Sequence, residues 1–449
     1  MPTENIAGKI QNWNERINEE CYRPNAQIGN FSLMSFDLYR SLAEWMEEHD
    51  PETYHKIIHS DQETYEKDGV GTAFCGSWDH AILPLLHEDD IELEIYWGYA
   101  DFLKRFKHAP IGFWLAETGA SRKVLDILAQ NGMRLVILAP WQTSNPIDTT
   151  KLHWIELYEG RRISAVFYDK DISSALSFDN NSMIDADVFA KNYVAPRGKQ
   201  DGVHLLGATD GERYGHHLKG GEKFLQRFLN QSLDQYSFKP TTVMKMYAQS
   251  PIKEEAFLQD NTSWSCLCGD LKRWKEDCDC CVDYDDYNKR VSGEWKKHLF
   301  NAIMGLSENI VDITVKQLKE LVHDPHHAMK EYIHVHLRQV TESEFIQKHK
   351  VRDLKHSEVD VILKLCAMQI YRLASFTSCG WFFSDIDRPE PRIVIGNAKK
   401  ALAMLAEIGH ADKVMELEEK FVALLHQAKS NRSAITGKDL YLEYAPVVA

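Results

Sequence analysis

Pro110-Ile111-Gly112-Phe113-Trp114-Leu115-Ala116-Glu117-Thr118 is an apolar run that closes on a carboxylate, and Arg134-Leu135-Val136-Ile137-Leu138-Ala139-Pro140 is a second apolar run. Between them Val124, Leu125 and Leu128 share one face of a helix-like segment, and Gly132 supplies its stop. Runs that are apolar at consecutive positions predict strands covered on both faces, so the stretch reads as strand, helix and parallel strand. Glu117 then stands at the carboxyl end of the first strand, where α/β enzymes gather their reacting groups. Further along, the apolar run Val203 to Leu206 predicts another strand. It leads into Gly207-Ala208-Thr209-Asp210-Gly211-Glu212-Arg213-Tyr214-Gly215-His216-His217. Thr209, Asp210 and Gly211 would also suit an ordinary turn and helix cap, because Asp and Gly favour such positions. Two acids presented at strand ends, Glu117 and Asp210, nevertheless meet the need of glycoside hydrolysis: one attacks or steadies the anomeric carbon and one protonates the leaving oxygen.

These residues carry a resemblance. GFWLAET resembles the nucleophile motif of glycoside hydrolase family 57, usually Gly-x-Trp-x-Pro-Glu, with Ala116 in place of the proline. ATDGERYG resembles that family's Asp-Gly-Glu acid/base motif, and Asp79-His80-Ala81-Ile82-Leu83-Pro84-Leu85 is similar to its histidine-containing stretch. WNERINEECYRPNA at Trp13 to Ala26, SWSC at Ser263 to Cys266, RW at Arg273 and Trp274, and TSCGWFF at Thr377 to Phe383 resemble the subgroup joined to domain of unknown function 3536. That subgroup's Ser-Phe-Asn-Gly-Pro is replaced by Ser35-Phe36-Asp37-Leu38-Tyr39. The resemblance implies a distorted (β/α)7 barrel followed by a helical domain. It further implies retaining cleavage or transfer at α-glucosidic bonds, with Glu117 as nucleophile and Asp210 as acid/base. Retention would set their carboxyls about 5 to 5.5 Å apart, inversion about 6.5 to 9.5 Å. Trp78, His80, Trp114, Glu212, His216 and Trp381 are the implied substrate contacts, although burial between helices explains Trp381 equally well. The family's first barrel strand carries His-x-His; no such motif stands ahead of the Glu117 strand, so that strand is expected to be missing.

Length and composition agree with such an organisation. The 449 residues are 44% hydrophobic and 27% charged, the balance of a globular protein. A formal net charge of -15 argues against general nucleic-acid binding, which needs Lys and Arg in excess on one face. No run approaches the roughly 18 apolar residues of a bilayer span, and the polar amino terminus points to the cytoplasm. The expected layout is a barrel over residues 1 to 255, a Cys-rich connector over 256 to 292 and a helical domain over 293 to 449. Catalysis of this kind requires no cofactor, the expected partner is an α-glucan or oligosaccharide, and oligomeric state has no signal in the sequence.

Outward from the two acids, helical spacing places Met34, Leu38, Leu42 and Trp45 on one buried face, and Asp50-Pro51 ends that segment. Tyr96, Tyr99, Ala100, Leu103 and Phe106 make an amphipathic helix that explains Trp97 as core. His153 to Asp169 reads as a hairpin about Gly160-Arg161-Arg162, and Glu222 to Leu233 as a barrel helix through Phe224, Phe228 and Leu229. Cys266, Cys268, Cys278 and Cys280 form two thiol pairs that could surround a tetrahedral zinc ion or remain reduced thiols. From Gly293 onward the pattern is helical, through Ile362, Cys366, Ile370 and Leu373, then Ala401, Leu402, Leu405 and Ile408; residues 430 to 449 read as a loose tail. Two rival functions stay open. One is a non-catalytic glucan-binding or regulatory protein, favoured by Ala116 and the missing His-x-His. The other is a metal-dependent deacetylase on a similar barrel, for which His80, His216 and His217 are the available histidines.

Overall fold

The structure, a computed structural model, describes residues 12–198, 204–283, 285, 286 and 288–444. The chain divides into two compact units: residues up to Gly76 with Asp101–Trp264, and Ser77–Ala100 with residues from Ser265 onward.

The first unit is built on a seven-stranded sheet: β1 Phe36–Asp37, β2 Ala73–Gly76, β3 Gly112–Trp114, β4 Leu135–Leu138, β5 Leu152–Glu156, β6 Arg162–Phe167 and β7 Glu254–Glu255. Their order is β1-β2-β3-β4-β6-β5-β7. The pairs β1–β2, β2–β3, β3–β4, β4–β6 and β5–β7 are parallel, and only the β5–β6 hairpin is antiparallel. This is the sheet of a distorted (β/α)7 barrel. β4 is buried at all four positions, as its unbroken apolar run requires. It packs with Phe74, Leu152, Val166, Tyr168, Met244 and Met246. Helix Arg122–Gln130 connects β3 to β4 and buries Val124, Leu125, Ile127 and Leu128; Ser121 caps it by accepting from the Val124 N–H at 3.3 Å.

Three expectations for this unit need correction. Met34 and Leu38 do not continue the helix that buries Leu42 and Met46, because Phe36 and Asp37 between them pair with Ala73 and Phe74 as β1. Residues 204–210 form no strand, and Val203 lies outside the described residues. Their backbone bonds go to scattered partners: Asp169 N–H donates to Leu206 O at 2.7 Å, and His204 N–H to Thr150 O at 3.0 Å. The helix expected over Glu222 to Leu233 forms as Gly221–Arg227 and continues as one widened turn, Phe228–Ser232.

The second unit is helical from Glu294–Leu318 onward, with His356–Ala374 and Pro389–Leu405 as its long central helices. Ile362, Cys366 and Leu373 are buried on the first of these, and Ala401, Leu402 and Leu405 on the second. Trp97 is fully buried and its indole donates to Lys330 O at 2.9 Å, the core role its spacing gave. Residues 430–444 are no loose tail. Helix Gly437–Leu442, opened by a capping box between Thr436 and Asp439, buries Leu440 and Tyr441. Among the described residues no helix is long and apolar enough to cross a membrane.

Candidate active site

Glu117 follows β3 on a turn where the backbone is strained. Glu117 and Thr118 both sit in the left-handed region, at φ 55° and 51°. Such a conformation costs an L residue on the order of 1 to 3 kcal/mol, and a β-branched threonine most of all. Gln142, fully buried at the end of β4, holds the turn from both sides. Its Oε1 accepts from Thr118 Oγ1 at 2.9 Å and from Ala139 N–H at 2.9 Å, while its Nε2 donates to Thr118 O at 2.8 Å. Trp264 fixes the glutamate itself: its N–H donates to Glu117 O at 3.2 Å and its indole Nε1 to Glu117 Oε2 at 2.8 Å. Trp114, at the end of β3, packs edge-on against Trp264 at 5.3 Å. Trp264 belongs to the SWSC block but had no role assigned from sequence, and Gln142 carries no local mark there.

Asp210 reaches the same region from the loop that replaces the expected strand. Ser173 Oγ accepts from Ala208 N–H at 3.0 Å, Ser177 Oγ donates to Thr209 Oγ1 at 2.8 Å, and Arg213 donates to Leu176 O at 2.8 Å. A second clamp comes from Trp13 to Ala26. Cys21 Sγ donates to Gly211 O at 3.3 Å, Asn25 Nδ2 to Tyr214 O at 2.7 Å and Tyr22 OH to Glu212 Oε1 at 3.0 Å. His216 Nδ1 lies 2.5 Å from Glu20 Oε2, and its ring meets Trp13 edge-on at 5.7 Å. Gly215 is pressed so close that a Cβ there would lie 2.0 Å from Glu20 O, at φ 145°. The family-like amino-terminal block thus shapes the acidic loop.

The electrostatics tie three carboxylates together. Enclosure by protein raises Asp210 to about 7, with the negative charges of Glu117 and Glu212 adding to the rise. Asp210 still exposes more than a third of its surface. Water on that open face softens the rise. Asp37, at the end of β1, is likewise pushed up to about 7, first by burial and then by Glu212. Its Oδ1 lies against Gly76, 3.1 Å from where a Cβ would stand. The sequence reading gave Asp37 no role, although its place at the Asn position of the Ser-Phe-Asn-Gly-Pro motif could have flagged it. The neighbouring His217 is pushed down by burial and then by His216.

The remaining expected contacts belong to the second unit. His80 is half-buried at φ 53°, its Nδ1 2.7 Å from Ser378 Oγ, so the DHAILPL and TSCGWFF blocks meet there. Trp78 is 1% exposed between Trp97 and His336, and Trp381 is 2% exposed against Phe300. Rings so enclosed have no face to offer a sugar, and both leave the set of candidate contacts. The four cysteines expected around a metal converge in this unit too. Among the described residues they form the one group of His, Cys, Asp and Glu within mutual ligand range, so no aspartate joins two histidines as a deacetylase would need.

No curated protein matches this sequence. Among solved structures, the fold is similar to that of an exo-type maltose-forming amylase from Pyrococcus sp. ST04, with a TM-score of 0.75 at 15% identity over 96% of this chain and 80% of that one. A GH57-type branching enzyme from Pyrococcus horikoshii gives 0.61 at 12% identity over 99% and 96%. A 4-alpha-glucanotransferase from Thermococcus litoralis gives 0.57 at 15% identity over 87% and 57%. At such identities the likeness is one of fold. The family assignment comes from the sequence models: one for a domain of unknown function, DUF3536, matches residues 292–447. With the other matching residues 3–258, the chain belongs to glycosyl hydrolase family 57.

Proposed function

We propose that this protein cleaves or transfers α-glucosidic bonds with retention of configuration, Glu117 attacking the anomeric carbon and Asp210 serving as acid and then base. The observation that carries the reading is the carboxyl of Asp210, raised to about 7 by its enclosure and by Glu117 and Glu212. A group that keeps its proton near neutral pH can hand it to a leaving oxygen, and its coupling to Glu117 puts the two acids within electrostatic reach. Glu117 suits attack for a different reason. Its backbone is held strained and its carboxylate is aimed by the Trp264 indole, so it has little freedom to turn away. The substrate class follows from the relatives, which are named as maltose-forming, glucan-transferring and branching enzymes.

The test is turnover of maltooligosaccharides by the full chain, with product anomers followed by NMR. Glu117→Ala and Asp210→Ala should each lower kcat by about 10³-fold or more while oligosaccharide binding survives. With an activated aryl α-glucoside, whose leaving group needs no acid, azide should rescue both variants and give glycosyl azides of opposite anomeric configuration, because it replaces the nucleophile in one and the deglycosylating water in the other. Binding with no turnover in the unaltered chain would instead establish a non-catalytic glucan-binding protein.

A further inference from the structure

We propose that Cys266, Cys268, Cys278 and Cys280 hold one structural zinc ion as four thiolates. Their sulfurs all lie within 4.8 Å of one another. Cys268 and Cys280 are 3.5 Å apart and Cys266 and Cys280 3.9 Å. A tetrahedral ion with Zn–S bonds of about 2.3 Å needs sulfurs about 3.8 Å apart. The separations fall on either side of that value, and none of the nine cysteines is in a disulfide.

The surroundings are those of a thiolate cage. Backbone N–H groups of Cys268 and Arg273 point at the Cys266 sulfur, and that of Cys280 at the Cys278 sulfur. Such bonds orient and stabilise sulfur ligands around an ion. The fifth cysteine of the cluster, Cys281, hydrogen-bonds the Cys278 sulfur but lies outside the four in mutual ligand range. Cys281 packs against Gly293, 2.7 Å from where a Cβ would stand, and its sulfur is met by the buried ammonium of Lys296. That ammonium donates to Arg273 O at 2.7 Å, and among the described residues no carboxylate pairs with it. A zinc centre with four thiolates carries a net charge of -2, which supplies the missing counter-charge. Four protein ligands leave no open position, so the ion would be structural.

The loop between the thiol pairs has little else to hold it. Its one helix, Lys272–Lys275, spans four residues, too few to stand alone. Yet it carries Trp274, 1% exposed in an apolar pocket with Ile82, Leu85, Phe300, Phe376 and Trp381. Clasping the loop at both ends would keep that indole seated. Loading binds one Zn²⁺ and releases up to four thiol protons, with no change of oxidation state.

The full chain, produced with zinc in the medium and purified without chelator, should contain one zinc per chain by mass spectrometry. Exchange for cobalt should give the intense thiolate-to-cobalt absorption of a tetrahedral sulfur site. Cys278→Ser with Cys280→Ser should abolish both signals, whereas Cys281→Ser should keep one zinc. Less than a tenth of a zinc per chain together with no cobalt band in the unaltered protein would overturn the assignment. So would disulfides joining these four cysteines, or iron with acid-labile sulfide in their place. The metal count does not depend on turnover, so its failure would leave the two-carboxylate reading standing.

Discussion

Asp210 owes its raised proton affinity first to enclosure and then to two neighbouring charges, so its titration can be moved by changing a neighbour. Glu212→Gln keeps an oxygen to accept from Tyr22 OH but removes one negative charge. The charge raises Asp210; without it the proton leaves earlier. The alkaline limb of kcat/KM, expected near pH 7, should move to lower pH by roughly half a unit, and pH–rate profiles of the two proteins check this. Asp37 yields a stability prediction of opposite practical sign. Its folded value, about 7, lies above the ordinary 3.8, so its contribution is intact below about pH 4 and lost as pH rises through 7. Asp37→Asn should therefore be more stable than the natural protein at pH 8, by a few kcal/mol or less, with the difference vanishing towards pH 4. Scanning calorimetry at the two pH values decides it. Glu117 and Asp210 stood out in the sequence because each closes a distinctive local run. Asp37 and Trp264 did not, because what marks them is a neighbour brought in by folding: Glu212 for one, Glu117 for the other.

At the scale of elements, the turn after β3 depends on a residue from the next strand's end. Gln142→Ala would remove the acceptor of Ala139 N–H and of the Thr118 hydroxyl together with the donor to Thr118 O, all in a buried setting. The cost should be about 2 to 4 kcal/mol in denaturant unfolding. Glu117, no longer held in its left-handed turn, should lose kcat more than KM changes. The strand-helix-strand unit around β3 and β4 was readable because its apolar runs and helical face sit on opposite periodicities. The Asp210 loop misled for a stated reason. A short apolar run satisfies side-chain burial whether or not a neighbour supplies a ladder, and here single bonds serve instead: His204 N–H to Thr150 O, His204 Nε2 with Ser250 Oγ, and Asp169 N–H to Leu206 O. The closing helix Gly437–Leu442 was missed because its six residues show no full face. It is held instead by tertiary bonds such as Lys399 Nζ to Tyr441 O at 3.0 Å.

At the scale of the whole molecule, linear order in the chain does not map onto the units, since Ser77–Ala100 is contributed to the helical unit from inside the barrel's sequence. No periodicity could reveal that exchange, because the segment reads as one more amphipathic helix. One buried ion pair secures it. Asp90 and Arg372, 282 positions apart, bond bidentately at 2.5 and 2.8 Å, and Arg372 is 2% exposed. Ser307 Oγ and Gln369 Oε1 accept two more of its N–H groups at 2.7 and 2.6 Å. Asp90→Asn leaves that guanidinium buried without its counter-charge, which should cost about 3 to 5 kcal/mol. Replacing both partners, as Asp90→Leu with Arg372→Met, removes the two charges together and should cost less than the single change. The comparison is made by denaturant unfolding of the three proteins, with tryptophan fluorescence following Trp78 and Trp97 inside the same unit. A double variant as unstable as the single one would mean that the site's packing, rather than its charge balance, holds the segment in place.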